Sequence, residues 1–255
     1  MNIRVKHLVR GLLPRAIRPR RIVAGPMRGV WMVTSWHDYP AGLLGRTERP
    51  LLRWFDAHVR PGDTWIDVGA HYGFTAFALS RLVGGSGRVF AFEPVPATAG
   101  CVDQGRVLNR LPQLTVVPMG LGAAPSIDMR RLPLTRGMAD ATYPGTGASA
   151  ATSVSVPLAR FDWLWPLLNG GQPAIHGVKI DVQGLELDVL EGMRDVLRRW
   201  RPPIVIELHA GVSRDAVLAL LRDAGYSGRA AAIDPADGDD APRLLDDRSY
   251  AFEAA

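Results

Sequence analysis

Cysteine and lysine are scarce in this chain, and each shortage excludes a class of protein. Cys101 stands alone, so there is no internal disulfide and no metal site built from several cysteines. Only Lys6 and Lys179 are lysine, and neither follows a glycine, so the Gly-Lys-Ser/Thr loop that cradles nucleotide phosphates is absent. The residues four positions before these lysines are Asn2 and Ile175, which excludes a Tyr-x-x-x-Lys dehydrogenase pair.

Long apolar runs are missing as well. The longest uncharged stretches, 111–127 and 141–159, are interrupted by proline, glycine and serine, so we expect no membrane span and a cytoplasmic protein. Residues 1–28 contain eight basic and no acidic residues, so the net charge of +5 belongs to the N-terminus. Such a segment can make peripheral contact with an anionic membrane, or it can dock on its own domain; it does not by itself indicate nucleic-acid binding.

The remaining pattern is an alternation of short apolar runs with amphipathic stretches. It predicts an α/β domain at 61–255, with a mostly parallel sheet and helices on both faces, after a basic helical extension at 1–60. Residues 118–157 are the least regular, and we expect an insertion or lid there, with a hairpin around 127–134 and a flexible stretch at 137–153 that is either a lid or a loose surface loop. The predicted strands are 64–68, 88–93, 114–117, 176–181, 203–208, a sixth from 225, and 250–252 at the edge.

The chain is organised around the first strand and its turn, which read Asp67-x-Gly69-x-x-x-Gly73. A dinucleotide-binding turn has Gly-x-Gly-x-x-Gly, and its helix N-terminus receives a pyrophosphate. Here one glycine fewer is present, and the carboxylate of Asp67 would repel phosphate. The turn therefore favours a ligand that brings an ammonium or sulfonium group, such as S-adenosylmethionine.

A second acid, Glu93, ends the next strand. A carboxylate at that place can accept hydrogen bonds from both ribose hydroxyls of an adenosine cofactor. Enzymes that use NAD share this feature, so Glu93 indicates adenosine without choosing the cofactor. The alternatives are a turn-capping role for Asp67 and a salt bridge for Glu93.

Four blocks in this order resemble the FkbM family of methyltransferases: residues 66–73 (IDVGAHYG), 89–94 (VFAFEP), 179–186 (KIDVQGLE) and 201–204 (RPPI) leading to Glu207. The resemblance implies a class I methyltransferase (Rossmann-like) fold, with a seven-stranded sheet whose last strand is antiparallel, and S-adenosylmethionine as methyl donor. It also implies O-methylation of a hydroxyl on a small-molecule or lipid-linked acceptor, such as a sugar, glycolipid or polyketide-type metabolite. The residues expected to bind the donor are Asp67, Gly69, Ala70, His71, Gly73 and Glu93.

Two positions depart from the family pattern. His71 stands where the family often has asparagine, and Gln183 stands where it often has glutamate. The first change affects donor contacts, whereas the second removes a carboxylate from the expected site.

Catalytic candidates follow the fourth and fifth strands. Asp181 is expected to act as a base or to orient the acceptor hydroxyl; the alternatives are contact with the donor's amino group and a helix cap. His209 is a second candidate base, because neutral imidazole suits proton transfer near pH 7. Asp181, Glu207 and His209 could together hold a divalent ion, although spacing alone does not establish a metal. Lys179 is expected to lie on the same side as Asp181 and to pair with it or with Glu207.

Two other functions remain open at this point. One is a non-catalytic module that binds an adenosyl cofactor or serves as a scaffold, for which Gln183 is the best support. The other is a nucleotide-dependent oxidoreductase, which lacks both the glycine pattern and the Tyr/Lys pair.

Overall fold

The computed structural model describes residues 13–142, 153–169, 174–235 and 244–255. Its strands in chain order are β1 (Arg18–Arg21), β2 (Trp31–Thr34), β3 (Thr64–Val68), β4 (Arg88–Phe92), β5 (Leu114–Val117), β6 (Gly120–Leu121), β7 (Asp128–Thr135), β8 (Met138–Ala139), β9 (Ser153–Ala159), β10 (Gly177–Ile180), β11 (Ile204–Leu208), β12 (Ala231–Ala232) and β13 (Arg248–Phe252). Its helices are α1 (Pro40–Leu43), α2 (Arg49–His58), α3 (Phe74–Val83), α4 (Pro96–Leu108), α5 (Phe161–Asn169), α6 (Glu186–Gly192), α7 (Arg194–Trp200) and α8 (Arg214–Asp223). Within these ranges no helix is long and apolar enough to cross a bilayer.

The central sheet has seven strands in the order β12-β13-β11-β10-β3-β4-β5. Strands β11, β10, β3, β4 and β5 run parallel to one another. Strand β13 runs antiparallel to its two neighbours, β11 and β12. The predicted sheet with an antiparallel last strand is confirmed. The predicted edge position of β13 is wrong, because β12 pairs outside it; Tyr226, the expected start of a sixth strand, makes only an isolated bridge to Ala254.

Alternation along the strands divides the core between the two faces of the sheet. In β3, Ile66 and Val68 belong to a cluster with α5 to α8, whereas Trp65 belongs to a cluster with α2, α3 and α4. Strand β3 is therefore buried on both faces, as its continuous apolar run predicted. Helices cover both faces.

The region before residue 61 differs from the predicted helical extension. Residues 1–12, where the amphipathic helix was predicted, lie outside the described residues. Strands β1 and β2 form an antiparallel pair, and Met32 packs in the same core cluster as Phe55 and Trp65. The Asn109 side chain bonds the backbone N–H and carbonyl of Trp31 at 2.8 and 2.7 Å. This hairpin is thus part of the domain, since its apolar side chains complete one face of the core.

The predicted irregular insertion contains a small sheet in the order β6-β9-β7-β8. β7 pairs antiparallel with both β8 and β9, and the tight turn lies at Arg136 and Gly137, just after the predicted hairpin. Residues 143–152 lie outside the described residues, so a lid at 118–157 stays a prediction.

The chain leaves β3 toward β4 and β5, and later returns to β10 on the other side of β3. This reversal creates a crevice at the carboxyl ends of the strands, where open α/β sheets bind their ligands.

Candidate active site

The turn after β3 has a backbone that only particular residues can adopt. Gly69 and Gly73 have φ angles of 80° and 85°, in the left-handed region that favours glycine. A Cβ atom on Gly69 would also collide with the backbone carbonyl of Asp181. His71 adopts a φ of 48° without being glycine. Glycine at position 69 is therefore required by the close approach of the β10 end, and glycine at position 73 by its φ angle and by the nearby side chains of Phe77 and Val102.

A cavity of about 290 Å³ lies over this turn. Among the residues predicted to bind the donor, those that line it are Gly69, Ala70, His71 and Glu93. Asp67 and Gly73 do not line it; Gly73 is the residue before α3. Of the catalytic candidates, Asp181 lines the cavity and His209 lies behind it.

Glu93 is buried, and both of its oxygens have backbone partners. The N–H of His71 donates to Oε2 at 2.8 Å, and the N–H of Val95 donates to Oε1 at 2.9 Å. Burial raises the pKa of Glu93 to about 8, although these two hydrogen bonds oppose the rise. Each carboxylate oxygen keeps one further acceptor position, which fits the predicted contact with two ribose hydroxyls.

Asp67 is fully buried and has partners inside the protein. Its Oδ2 accepts a hydrogen bond from Thr75 Oγ1 at 2.7 Å, and its Oδ1 lies 3.3 Å from Lys179 Nζ. The Lys179 ammonium also reaches Asp181 Oδ2 at 3.5 Å and donates to the carbonyl of Gly69 at 3.2 Å. The charge of Asp67 is thus balanced by Lys179. The predicted repulsion of phosphate by Asp67 did not include this ion pair. Direct contact of Asp67 with the donor stays a prediction; its observed role is to hold Thr75 and Lys179, which line the cavity.

Beyond β10 and β11, four polar side chains surround a buried imidazole. His209 Nδ1 lies 2.6 Å from Glu186 Oε1. Its Nε2 lies 2.8 Å from the Gln183 amide, 3.6 Å from Asp181 Oδ1 and 3.7 Å from Glu207 Oε1. The structure therefore brings together the three predicted metal-ligand candidates, whose ligand atoms lie within 4.8 Å of one another.

The pKa values at this end follow from buried charge. Burial lowers the pKa of His209, but the Glu186 hydrogen bond and the nearby carboxylates raise it to about 9. Burial and the charge of Asp181 raise the pKa of Glu207 to about 7. A histidine that acts as a base near pH 7 must have a neutral ring. Because the pKa of His209 is raised to about 9, its ring is protonated at that pH, which disfavours His209 as the base. Asp181 is then the better placed candidate.

Residues 136–142, called here the strap, cross the cavity from His71 to Gln183. The strap begins where the carbonyl of Arg136 lies 3.0 Å from His71 Nε2 and the carbonyl of Gly137 accepts from Thr98 Oγ1 at 2.6 Å. It ends where Ala141 N–H donates to the carbonyl of Gln183 at 3.1 Å. The sequence indicated an irregular stretch here, but not these anchors.

The region before the first β-strand of the main sheet also contributes to the cavity wall. Tyr39 and Glu48 both line the cavity, and the rings of Tyr39 and His71 meet edge to face at 5.3 Å. The aromatic cluster in the sequence was the available signal for Tyr39. Burial raises the pKa of Glu48. No local sequence pattern distinguished this residue from the acidic residues on the surface.

Comparisons with known proteins agree with this geometry. The pattern described as "Methyltransferase FkbM domain" matches residues 67–227. A curated relative, hexuronic acid methyltransferase AglP of Haloferax volcanii, is 31% identical over 185 residues, which are 71% of each chain.

Solved structures that match this chain include a methyltransferase FkbM from Methylobacillus flagellatus. The match covers 85% of this chain, with 17% sequence identity and a TM-score of 0.49. This chain spans 54% of that protein's length. Fibrillarin from Aeropyrum pernix, solved with natively bound S-adenosyl-L-methionine, has 16% identity and a TM-score of 0.48, and covers 94% of this chain and 83% of its own.

The matched residues include the β3 turn, Glu93 and Asp181, all of which contribute to the cavity wall. The extent of this match, together with the relative at 31% identity, establishes membership. The chain belongs to the FkbM family of methyltransferases.

Proposed function

We propose that this protein transfers a methyl group from S-adenosylmethionine to a hydroxyl oxygen of a hexuronic acid or a closely related sugar. The observation that carries the proposal is that Glu93 and Asp181 line one cavity, on opposite sides of β3, in a chain of a methyltransferase family. The sugar class comes from the name of the Haloferax relative. The family match and the curated relative give no support to the scaffold or the oxidoreductase alternative.

The donor end is the wall formed by the β3 turn and Glu93. When bound, the donor supplies a methyl group already activated on a sulfonium. The carboxylate of Glu93 accepts the ribose hydroxyls, and the backbone of Gly69 to His71 lies against the methionine part. The acids that line the cavity, Glu48 and Asp181 among them, favour the positive charge of the sulfonium over a neutral ligand.

The acceptor end is the wall that contains Asp181. A hydroxyl must lose its proton as it attacks the methyl carbon, and a positioned base assists this step. Asp181 accepts the hydrogen bond of that hydroxyl and takes its proton, while Lys179, 3.5 Å away, keeps the carboxylate in place. Alignment of the oxygen with the methyl carbon supplies much of the remaining acceleration.

The acceptor could be attached to a lipid, since residues 1–28 are basic. In that case the enzyme acts in the cytoplasm at the membrane surface, and vesicles of anionic lipid should retain the full chain at low salt. The same retention by neutral vesicles would count against this part of the proposal.

The test is methyl transfer by the purified full chain from radiolabelled S-adenosylmethionine to glucuronic acid, galacturonic acid and glucose. We expect labelled product from the uronic acids that survives mild alkali, because a methyl ether on a hydroxyl is stable there. Label that alkali releases would show a methyl ester on the carboxylate instead. Donor binding without transfer to any acceptor, including a cell extract, would support the scaffold alternative.

A further inference from the structure

At the acceptor end, one nitrogen of His209 lies close to an oxygen of Asp181 and an oxygen of Glu207 without forming a hydrogen bond to either of them. His209 Nε2 is 3.6 Å from Asp181 Oδ1 and 3.7 Å from Glu207 Oε1. These separations exceed those of normal hydrogen bonds. Atoms that bind one cation at about 2.0–2.2 Å are themselves roughly 3–3.6 Å apart. The observed spacing is therefore close to that of ligands around a single divalent ion.

The imidazole in this group is oriented from behind by another carboxylate. Glu186 is fully buried, and its Oε1 lies 2.6 Å from His209 Nδ1 and 3.0 Å from the N–H of Gly184. Glu186 Oε2 is buried and has no hydrogen-bond partner among the described residues. Such an outer carboxylate is the usual partner of a metal-binding histidine, because it fixes the ring and directs the other nitrogen toward the metal. The His209 side chain is itself buried, with 3% exposure, and its Nε2 is the nitrogen that lies near Asp181 and Glu207.

Charge also favours a cation at this place. Asp181 lines the main cavity, Glu207 lines a second cavity of about 300 Å³, and Glu48 lines both. Lys179 and the protonated ring of His209 both lie near Asp181, but Lys179 is shared with the buried Asp67, and a bound cation would take the place of the proton on His209 Nε2. A hexuronic acid would bring a further carboxylate to a wall that already has an excess of negative charge.

We propose that Asp181, Glu207 and His209 bind one divalent cation, with Glu186 as the positioning residue behind His209. Asp181 Oδ1 is the ligand, and Oδ2, which lies beside Lys179, is left to accept the acceptor's proton. Two carboxylates and one imidazole would leave further coordination positions on the cation, and Asp181 and Glu207 line two cavities that share Glu48. Those positions are suited to a carboxylate and a hydroxyl oxygen of the acceptor sugar. This last role rests on the proposed function, whereas the cation site does not depend on it. The Gln183 amide, 2.8 Å from His209 Nε2, must turn its oxygen to the cation or move aside.

The experiment is titration of the full, metal-stripped chain with Mn²⁺, followed by calorimetry and by the loss of the free-ion electron paramagnetic resonance signal. We expect one Mn²⁺ per wild-type chain. Asp181→Asn and His209→Gln should each weaken binding at least tenfold. Glu186→Gln should weaken it roughly 10–100-fold, as outer-shell carboxylates do. The matched control is Asp223→Asn, which removes an acid that pairs with Arg198 on the surface.

Absence of stoichiometric Mn²⁺ binding by the wild-type chain, with and without glucuronic acid, would overturn the proposal whether or not the variants fold. Equal weakening by Asp223→Asn would overturn it too, since only general charge would then be involved. Thermal unfolding of each variant identifies a chain that has lost its structure. Binding of S-adenosylmethionine to the metal-free chain is measured separately, so that a failed cation site and a failed methyltransferase assignment are distinguishable.

Discussion

The two ends of the cavity differ in how their polar groups are satisfied. At the donor end, Glu93 receives two backbone hydrogen bonds, and Asp67 is held by Thr75 and Lys179. At the acceptor end, Asp181 and Glu207 lie 3.6 and 3.7 Å from one nitrogen of His209, with no bond of normal length to it.

The difference indicates two kinds of preparation. The donor end is preorganised, so a ligand there meets fixed acceptors and loses little free energy to rearrangement. The acceptor end is electrostatically incomplete, and a proton, a cation or the acceptor itself must balance it. Changes at the two ends should therefore affect different steps, and the following predictions separate them from the largest effect to the smallest.

Asp181→Asn should lower the turnover of methyl transfer by about 10²–10⁴-fold, because a positioned base contributes about that much. The dissociation constant of S-adenosylmethionine should change less than threefold, since the substitution leaves the donor end intact. Rapid-quench turnover and calorimetry measure the two quantities. Near-normal turnover would remove Asp181 from the chemistry, and Asp223→Asn is the control for a lost acid.

Lys179→Met should lower the free energy of unfolding by about 3–5 kcal/mol, because it leaves the fully buried Asp67 without its cation. Urea unfolding followed by circular dichroism measures the loss. Arg198→Met breaks an exposed ion pair with Asp223 and should cost less than about 1 kcal/mol. Equal losses of unfolding free energy in the two variants would mean that the ion pair of Lys179 with Asp67 stabilises the fold no more than an exposed pair does.

At pH 9, where the Glu93 carboxylate is ionised, Glu93→Gln should weaken S-adenosylmethionine binding by about 10–150-fold, which corresponds to about 1.5–3 kcal/mol for hydrogen bonds to a charged acceptor. Turnover at saturating donor should stay within about threefold of wild type, since Asp181 is untouched. Calorimetry and initial rates distinguish the two outcomes. If turnover fell and affinity did not, the assignment of the two ends would be reversed.

The pH dependence of donor binding should show the smallest effect. Burial raises the pKa of Glu93 to about 8, and the ionised form is the better acceptor for the ribose hydroxyls. Protonation below this pKa therefore weakens binding, and affinity should rise about tenfold between pH 7 and pH 9. Glu93→Gln should remove this rise, and a rise that persists in the variant would assign it to another group.

The sequence signals at the donor end are local. Asp67, Gly69, Gly73 and Glu93 lie in two short segments whose strand ends must meet in a parallel sheet, and the family, its fold and its donor, S-adenosylmethionine, are confirmed. Even there, the ion pair of Lys179 with Asp67 was missed, although the two residues are direct partners in the register of β10 and β3.

The acceptor end was harder to predict, because its contacts join distant segments. Glu186 and His209 are 23 residues apart, and only the packing of α6 against the end of β11 makes them partners. The strap is held by three separate backbone or side-chain contacts, none of which has a sequence signature. Residues 1–60 were predicted as a basic helical extension; their described part contains the β1–β2 hairpin, whose neighbouring apolar residues Met32 and Val33 are both buried in the core.

The most direct test of the two-ended cavity is a crystal structure of the full chain with S-adenosylhomocysteine and glucuronic acid. The account predicts ribose hydroxyls at about 3 Å from the Glu93 carboxylate, with the sulfur facing Asp181 and a sugar hydroxyl beside that carboxylate. A nucleoside bound away from Glu93, or a sugar bound on the side of the cavity opposite Asp181, would contradict it.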